Sequence, residues 1–520
     1  VIINEGIHPI PTPLATTCLG YPLVPPARRH KITSRPPRTC DRPKGVGATC
    51  VGPVAGVAWV PNRCACNAEH ALSLRHGVEP PVVTAEWSHA LLWVDRAISA
   101  CPWLEQSVFC NFQEWLAKWP QSKQAAIVRS IDTEAVMPGH VKSMLKREVS
   151  NKRPRRFRLI HYYRTLRTQA EYAPTFVALQ KGLFSWANSD KGRKVNVTFA
   201  SGLSSGGIAD WMDSVEKRFP AGWFYERDGE SWDATMQRFH HDLKMRLYEA
   251  VDVDFAAFVE RGFKVKSSYY FPDGVLRYCL DGTVKSGHND TTLGNSLVNA
   301  MIAYDSLMRL GYSAEILVAG DDLLVALDEN PVGLHDMEAT YGIKPVSRVF
   351  RDPLDVSFIS GVFLRGSTGW LFLPKLGRLL ARLWWTVNPP PPRRVNDYRA
   401  SVVRGLRSVA GNVPLYCDFL REIEGGEYNL GTDYYVKLAN WGGSEVGPET
   451  TRGLCDRYHL NFQEFDELSE YLRNLPMAPV SFSNALVRRV LLVDLADLVD
   501  RPLVSDLRVV PRQDSHDDSC

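Results

Sequence analysis

Two apolar runs, Ile316-Leu317-Val318 and Leu323-Leu324-Val325, flank the polar tip Gly320-Asp321-Asp322, a pattern that predicts a tight hairpin between buried strands over Ala314 to Asp328. Upstream, Trp223-Phe224-Tyr225 reads as a buried strand with Asp228 at its end, and the pattern from Met236 to Phe258 is helical. From Thr291 on, Leu293, Leu297, Ala300, Met301, Tyr304 and Leu307 hold one apolar stripe. Asn295 falls off that stripe and points away from the core. Aromatic and aliphatic positions between Glu86 and Val136 recur at helical spacing, as do those of Tyr398 to Val409, Phe462 to Leu475 and Ala485 to Leu498. Residues 1 to about 63 show no sustained period and read as an extended arm that wraps something or stays mobile.

At 520 residues the chain exceeds what one core supports, so two to four subdomains are expected. The net charge of +3 says nothing by itself about nucleic acid. The 11 cysteines lack a repeated spacing and read as reduced thiols, and Cys40, Cys50, Cys64, Cys66 and His70 fit no common zinc module. No apolar run reaches the roughly 18 residues of a membrane span. Val1 is not an initiator Met and no signal-peptide pattern follows, which suggests a polyprotein product or a fragment.

Charge distribution is more informative than net charge. Between Lys142 and Arg167 lie Lys142, Lys146, Arg147, Lys152, Arg153, Arg155, Arg156, Arg158, Arg164 and Arg167 against the single acid Glu148. Such a run is either a solvated face or an anion channel; Ile160 with its aromatic neighbours suggests an ordered strand, and arginine forks suit phosphate oxygens. The paired acids at the hairpin tip pose a similar choice. An ordinary solvated turn needs one short polar residue, whereas two adjacent carboxylates suit a hard divalent cation that shares its site with phosphates. Asp233 lies near a helix start, where an N-cap role is the plain reading.

The order of these motifs decides more than any one of them. Asp228-x4-Asp233, then Ser286-Gly287-x3-Thr291-x3-Asn295 opening a helix, then Gly320-Asp321-Asp322 on a hairpin, resembles motifs A, B and C of the RNA-dependent RNA polymerases of positive-strand RNA viruses. The flavour of motif B is similar to noda-like or tombus-like polymerases. The resemblance implies that Asp228 and Asp321 hold metal with Asp322 as accessory acid, and that Asp233 and Asn295 together read the ribose 2'-hydroxyl. It places Ser286, Gly287 and Thr291 in a nucleotide-binding loop. Lys146, Glu148 and Arg158-Leu159-Ile160 resemble motif F, which holds the triphosphate. Tyr341-Gly342-Ile343-Lys344 resembles motif D, making Lys344 a proton donor to pyrophosphate, and Phe358-Ile359-Ser360-Gly361 resembles the primer-grip hairpin, motif E. Glu230 departs from the family, where Ser is commoner.

The resemblance further implies an α+β right-hand fold: an extension over 1–75, fingers over 76–220, a palm over 221–375 with an inserted fingers segment, a helical thumb over 376–511 and a disordered tail over 512–520. It implies two Mg²⁺ ions, with Mn²⁺ as a substitute, and template RNA, product RNA and NTPs as partners. Other viral replication proteins or a missing membrane-targeting region would bring the chain to membranes of the host cytoplasm. A non-catalytic RNA-binding scaffold, or a reverse transcriptase, is the alternative reading.

Overall fold

The computed structural model describes residues 30–34, 45–55, 58–77, 79–100, 111–149, 158–271, 274–285, 287–430 and 445–495. It is a mixed α+β structure with two five-stranded sheets, one three-stranded sheet and two small two-stranded pairs.

One five-stranded sheet runs, edge to edge, Pro345–Phe350, Trp223–Gly229, Asp322–Leu327, Ala314–Ala319 and Val195–Phe199. All its pairings are antiparallel except that between Ala314–Ala319 and Val195–Phe199. Both faces of its centre are covered, which explains why the hairpin strands read as continuous apolar runs rather than as an alternation. Ile316, Val318, Leu323 and Val325 belong to a core shared with Leu293, Leu297, Ala300 and Met301 of the helix Asp290–Leu310. Leu317, Leu324 and Ala326 belong to a second core with Trp211 and Met212 of the helix Ser205–Arg218, and with Phe363 and Phe372. The sheet draws Val195–Phe199 from well before residue 221.

The other five-stranded sheet runs His30–Ser34, Gly274–Asp281, Lys264–Phe271, His140–Leu145 and Leu159–Tyr163. The strand expected around Ile160 is therefore present, and it forms a hairpin with His140–Leu145, pairing Met144 with Ile160. Of the basic run, Lys152, Arg153, Arg155 and Arg156 lie outside the described residues.

The carboxyl-terminal region is helical as the stripes predict, with helices Val395–Ala410, Phe462–Arg473 and Ala485–Asp494, plus Pro448–Tyr458, which the pattern did not reveal. Its core includes Val51, Val54, Ala55 and Ala58 of the amino-terminal segment. Thr49–Cys50 pairs with Trp385–Thr386, and the Val54 amide donates to the Val480 carbonyl. This part of the arm is thus built into the carboxyl-terminal core, and the helix Ala65–His76 that follows packs on the second sheet through Ala68, Ala71 and Leu72. No helix among the described residues is long and apolar enough to cross a membrane.

Candidate active site

The strand register brings the acids together. Arg227 of Trp223–Gly229 lies opposite Leu323, so the next residue, Asp228, comes alongside Asp322 at the hairpin tip. Side chains alternate along a strand, and Arg227 is buried while Asp228 is exposed. Arg227 forms an ion pair of 3.0 Å with Glu338, and both side chains are fully buried. Glu338 also accepts a 2.7 Å hydrogen bond from Tyr225, so the strand carrying Asp228 is pinned from below.

At the tip, Ala319 pairs with Asp322 and leaves Gly320-Asp321 as the turn. Gly320 has φ +64°, a left-handed conformation open to glycine without strain, and empty space surrounds its Cβ position. Two residues that sequence reasoning missed hold this turn. The Ser296 hydroxyl accepts from the Gly320 amide at 2.9 Å, and the Asn299 amide group donates to the Gly320 carbonyl at 2.9 Å and the Asp322 carbonyl at 3.4 Å. Both sit inside the helix Asp290–Leu310 and are fully buried, where they interrupt the apolar pattern as i, i+3 polar neighbours. That interruption was the available signal. Asn299→Ala leaves the half-buried turn carbonyls without their donor and should destabilise the fold by about 1 kcal/mol, read as a lowered midpoint in denaturant titration.

The electrostatics follow from this crowding. Asp322, half-buried at the floor of the tip, is pushed up to about 7 by burial and then by Asp321, Asp228 and Glu226, with Arg378 opposing. Asp321 meets solvent on its outer side, yet exclusion of water by the surrounding protein, and then Asp228 and Asp233, raise it too, while Arg158 pulls it down. Among the described residues, no group of three or more His, Cys, Asp or Glu side chains is gathered closely enough to hold a metal ion by itself. An open set of mutually repelling carboxylates fits a divalent cation whose remaining ligands are waters and substrate phosphates. Glu226, overlooked in the sequence, borders this set and accepts a 2.9 Å hydrogen bond from Ser357.

The remaining candidates surround the tip unevenly. Lys146 and Arg158 both reach Glu148, at 2.8 and 3.2 Å, as partly exposed side chains at the end of their hairpin. Lys344 is exposed just before the edge strand, and its carbonyl accepts from the Glu230 amide at 3.0 Å, which ties it to the turn after Asp228. Phe358-Ile359-Ser360-Gly361 forms the expected hairpin, with Ile359 and Ser360 at positive φ. Ser286 lies outside the described residues. Gly287 forms a bridge with Tyr162, where a Cβ would sit 2.9 Å from the Tyr162 Cβ and closer still to the His161 carbonyl. The Thr291 hydroxyl reaches the His288 carbonyl at 2.7 Å and the Lys285 carbonyl at 3.0 Å, so it braces the loop. No hydrogen bond joins Asp233 to Asn295 among the described residues; the Asp233 Oδ1 is engaged at 2.5 Å by Arg75. Nor does Asp233 cap its short helix, Trp232–Thr235, in which it is the second residue.

Comparison with known proteins bears on the same region. Residues 102–341, which contain the Asp228 strand, the loop and the hairpin, match the family described as RNA dependent RNA polymerase. This stretch, a little under half of the chain, is similar to the RNA-dependent RNA polymerases. A segment of the chain is 34% identical over 80 residues to the RNA-directed RNA polymerase of Panicum mosaic virus (strain United States/Kansas 109S), covering 14% of this chain and 8% of that protein. The chain is also 39% identical over 57 residues to the RNA-directed RNA polymerase of Groundnut rosette virus (strain MC1), covering 11% of this chain and 7% of that protein. The matched segments thus span under a tenth of either relative. Of the two flavours suggested by motif B, these relatives favour the tombus-like polymerases.

Proposed function

We propose that the chain catalyses template-directed addition of ribonucleotides to an RNA 3'-hydroxyl, copying a viral RNA genome. The observation that carries this reading is the register that sets Asp228 beside the Gly320-Asp321-Asp322 turn, inside the region that matches the polymerase family. In this reading the sheet bearing the acids is the palm, the sheet bearing Lys146 and Arg158 belongs to the fingers, and the carboxyl-terminal helices form the thumb.

The reaction is a phosphoryl transfer, so positioning and charge neutralisation dominate. Asp228 and Asp321, with Asp322 beside them, would hold two Mg²⁺ ions or Mn²⁺ in their place. When bound, such ions lower the pKa of the attacking hydroxyl and neutralise charge on the transferred phosphate. Arg158 and Lys146 face the triphosphate, which would displace Glu148 from them. Lys344, flanking the turn after Asp228, would donate a proton to the departing pyrophosphate. Asp233 and Asn295 would face the ribose, and Gly287 lets the loop lie flush on the strand at Tyr162. Template and product RNA and NTPs are the partners; other viral replication proteins, or a targeting region outside this sequence, would place the chain at host cytoplasmic membranes.

Extension of a template RNA by purified protein with Mg²⁺ and labelled NTPs tests the proposal, and absence of template-dependent product would overturn it. Within that assay Arg158→Ala should lower kcat/KM for NTP by about 10- to 150-fold, mostly through KM, because a hydrogen bond to a charged group is lost in ground and transition states alike. Unchanged NTP kinetics with weaker RNA retention would instead assign Arg158 to the RNA backbone.

A further inference from the structure

Arg75 stands at the end of the helix Ala65–His76, outside the region that matches the polymerase family and outside every motif read from the sequence. Its guanidinium meets the Asp233 carboxylate at 2.5 Å, with the two side chains 21% and 16% exposed. At that depth the pair is shielded from much of the screening that makes surface ion pairs weak. The bond uses Oδ1, and Oδ2 carries no hydrogen bond among the described residues.

The helix end touches more than one part of the region proposed to face the ribose. His76 packs edge-on against His161 with ring centroids 5.8 Å apart, and the His161 carbonyl is the atom against which Gly287 lies. His161 is itself fixed by a 2.8 Å hydrogen bond to Tyr278. Thus Arg75 contacts the carboxylate, and the next residue contacts the strand that supports the loop. The helix is held in turn by its seat on the second sheet, and the segment before it is anchored in the carboxyl-terminal core, where the Arg399 guanidinium donates to the Val51 carbonyl at 2.5 Å and the Val51 amide to the Trp384 carbonyl at 2.9 Å. A rigidly mounted cation on one carboxylate oxygen fixes the direction of the other.

We propose that Arg75 is a positioning residue for sugar discrimination: by holding Oδ1 of Asp233 it presents Oδ2 as the acceptor for the 2'-hydroxyl of the incoming ribonucleotide. This rests on the polymerase reading above. Without Arg75 the carboxylate rotates freely and loses its aim at the hydroxyl, whereas a deoxyribonucleotide, which makes no such bond, is unaffected. The cost therefore falls on NTP and spares dNTP.

Single-turnover incorporation of one NTP and its matching dNTP, at matched folded fraction, tests this on wild type, Arg75→Ala, Arg75→Lys, Asp233→Asn and the double variant Arg75→Ala/Asp233→Asn. Arg75→Ala should lower the NTP over dNTP preference by about 5- to 30-fold through the NTP rate, and Arg75→Lys should restore part of it. In the Asp233→Asn background, Arg75→Ala should change the ratio no further, since it acts through the same carboxylate. A wild type that discriminates between the sugars, paired with an Arg75→Ala variant of unchanged ratio, overturns the assignment and leaves the polymerase reading intact. Equal loss with both sugars in Arg75→Ala and Arg75→Lys makes Arg75 a structural residue only and also overturns it. A wild type without template-dependent synthesis removes the polymerase reading itself.

Discussion

Asp228→Asn and Asp321→Asn should each lower nucleotide addition on the order of a thousandfold while leaving RNA binding within a few-fold of wild type. Each substitution removes a formal charge from a set that is open to cations, and several kcal/mol of transition-state charge stabilisation depend on that set. Asparagine keeps the size of the side chain, so the register that places both residues should persist. RNA retention would rest instead on cations that meet the RNA backbone away from these acids, so it should persist in both variants. Primer extension in parallel with filter binding at fixed salt reads both quantities. Near-normal extension by either variant would remove that residue from the metal set.

Gly287→Ala should produce a second large loss, about a hundredfold in the rate of incorporation, of a different kind. Its methyl group would enter the space occupied by the His161 carbonyl and the Tyr162 Cβ. Neither neighbour can give way easily. His161 is buried and bonded to Tyr278, and its strand is paired along its length with His140–Leu145. The loop must therefore lift, and a displacement of about 1 Å in a positioning element is enough for a loss of that size. If the loop serves the whole nucleotide, as proposed, NTP and dNTP should suffer alike, in contrast to Arg75→Ala. Single-turnover rates with both sugars, alongside a denaturation curve, distinguish a lifted loop from a destabilised fold; an unchanged rate would mean that the loop takes no part in placing the nucleotide.

Much of the catalytic tip was legible in the sequence because its elements are local. A hairpin between apolar runs, an acid at a strand end and a helix opening after a Ser-Gly loop each occupy fewer than about thirty consecutive residues, and their order carried the family resemblance. What escaped was set by contacts distant in sequence. Arg75 and Asp233 are separated by 158 positions, and no local pattern links a basic residue near a helix end to an acid in another element. The helix Ala65–His76 itself is weakly patterned, with Asn67, Ser73 and His76 among its buried positions, so it merged with the irregular arm before it. Ser296 and Asn299 were hidden by the opposite effect: they lie within a strongly periodic helix, where polar residues on a buried face are easily taken as tolerated exceptions, although a buried donor or acceptor calls for a partner. Asn295 drew attention because it faced outward, while the polar residues that hold the turn face inward.

The burial of the hairpin on both faces, together with the bonds from Ser296 and Asn299 to its turn, limits how far that turn can move. A two-strand unit enclosed by cores on either side has no cheap way to tilt or slide, since any displacement opens voids along its whole length. The carboxylates of the turn are therefore a stationary reference point. On the polymerase reading proposed above, stepwise progress along a template must come from the nucleic acid moving past them, while the hairpin keeps one geometry from cycle to cycle.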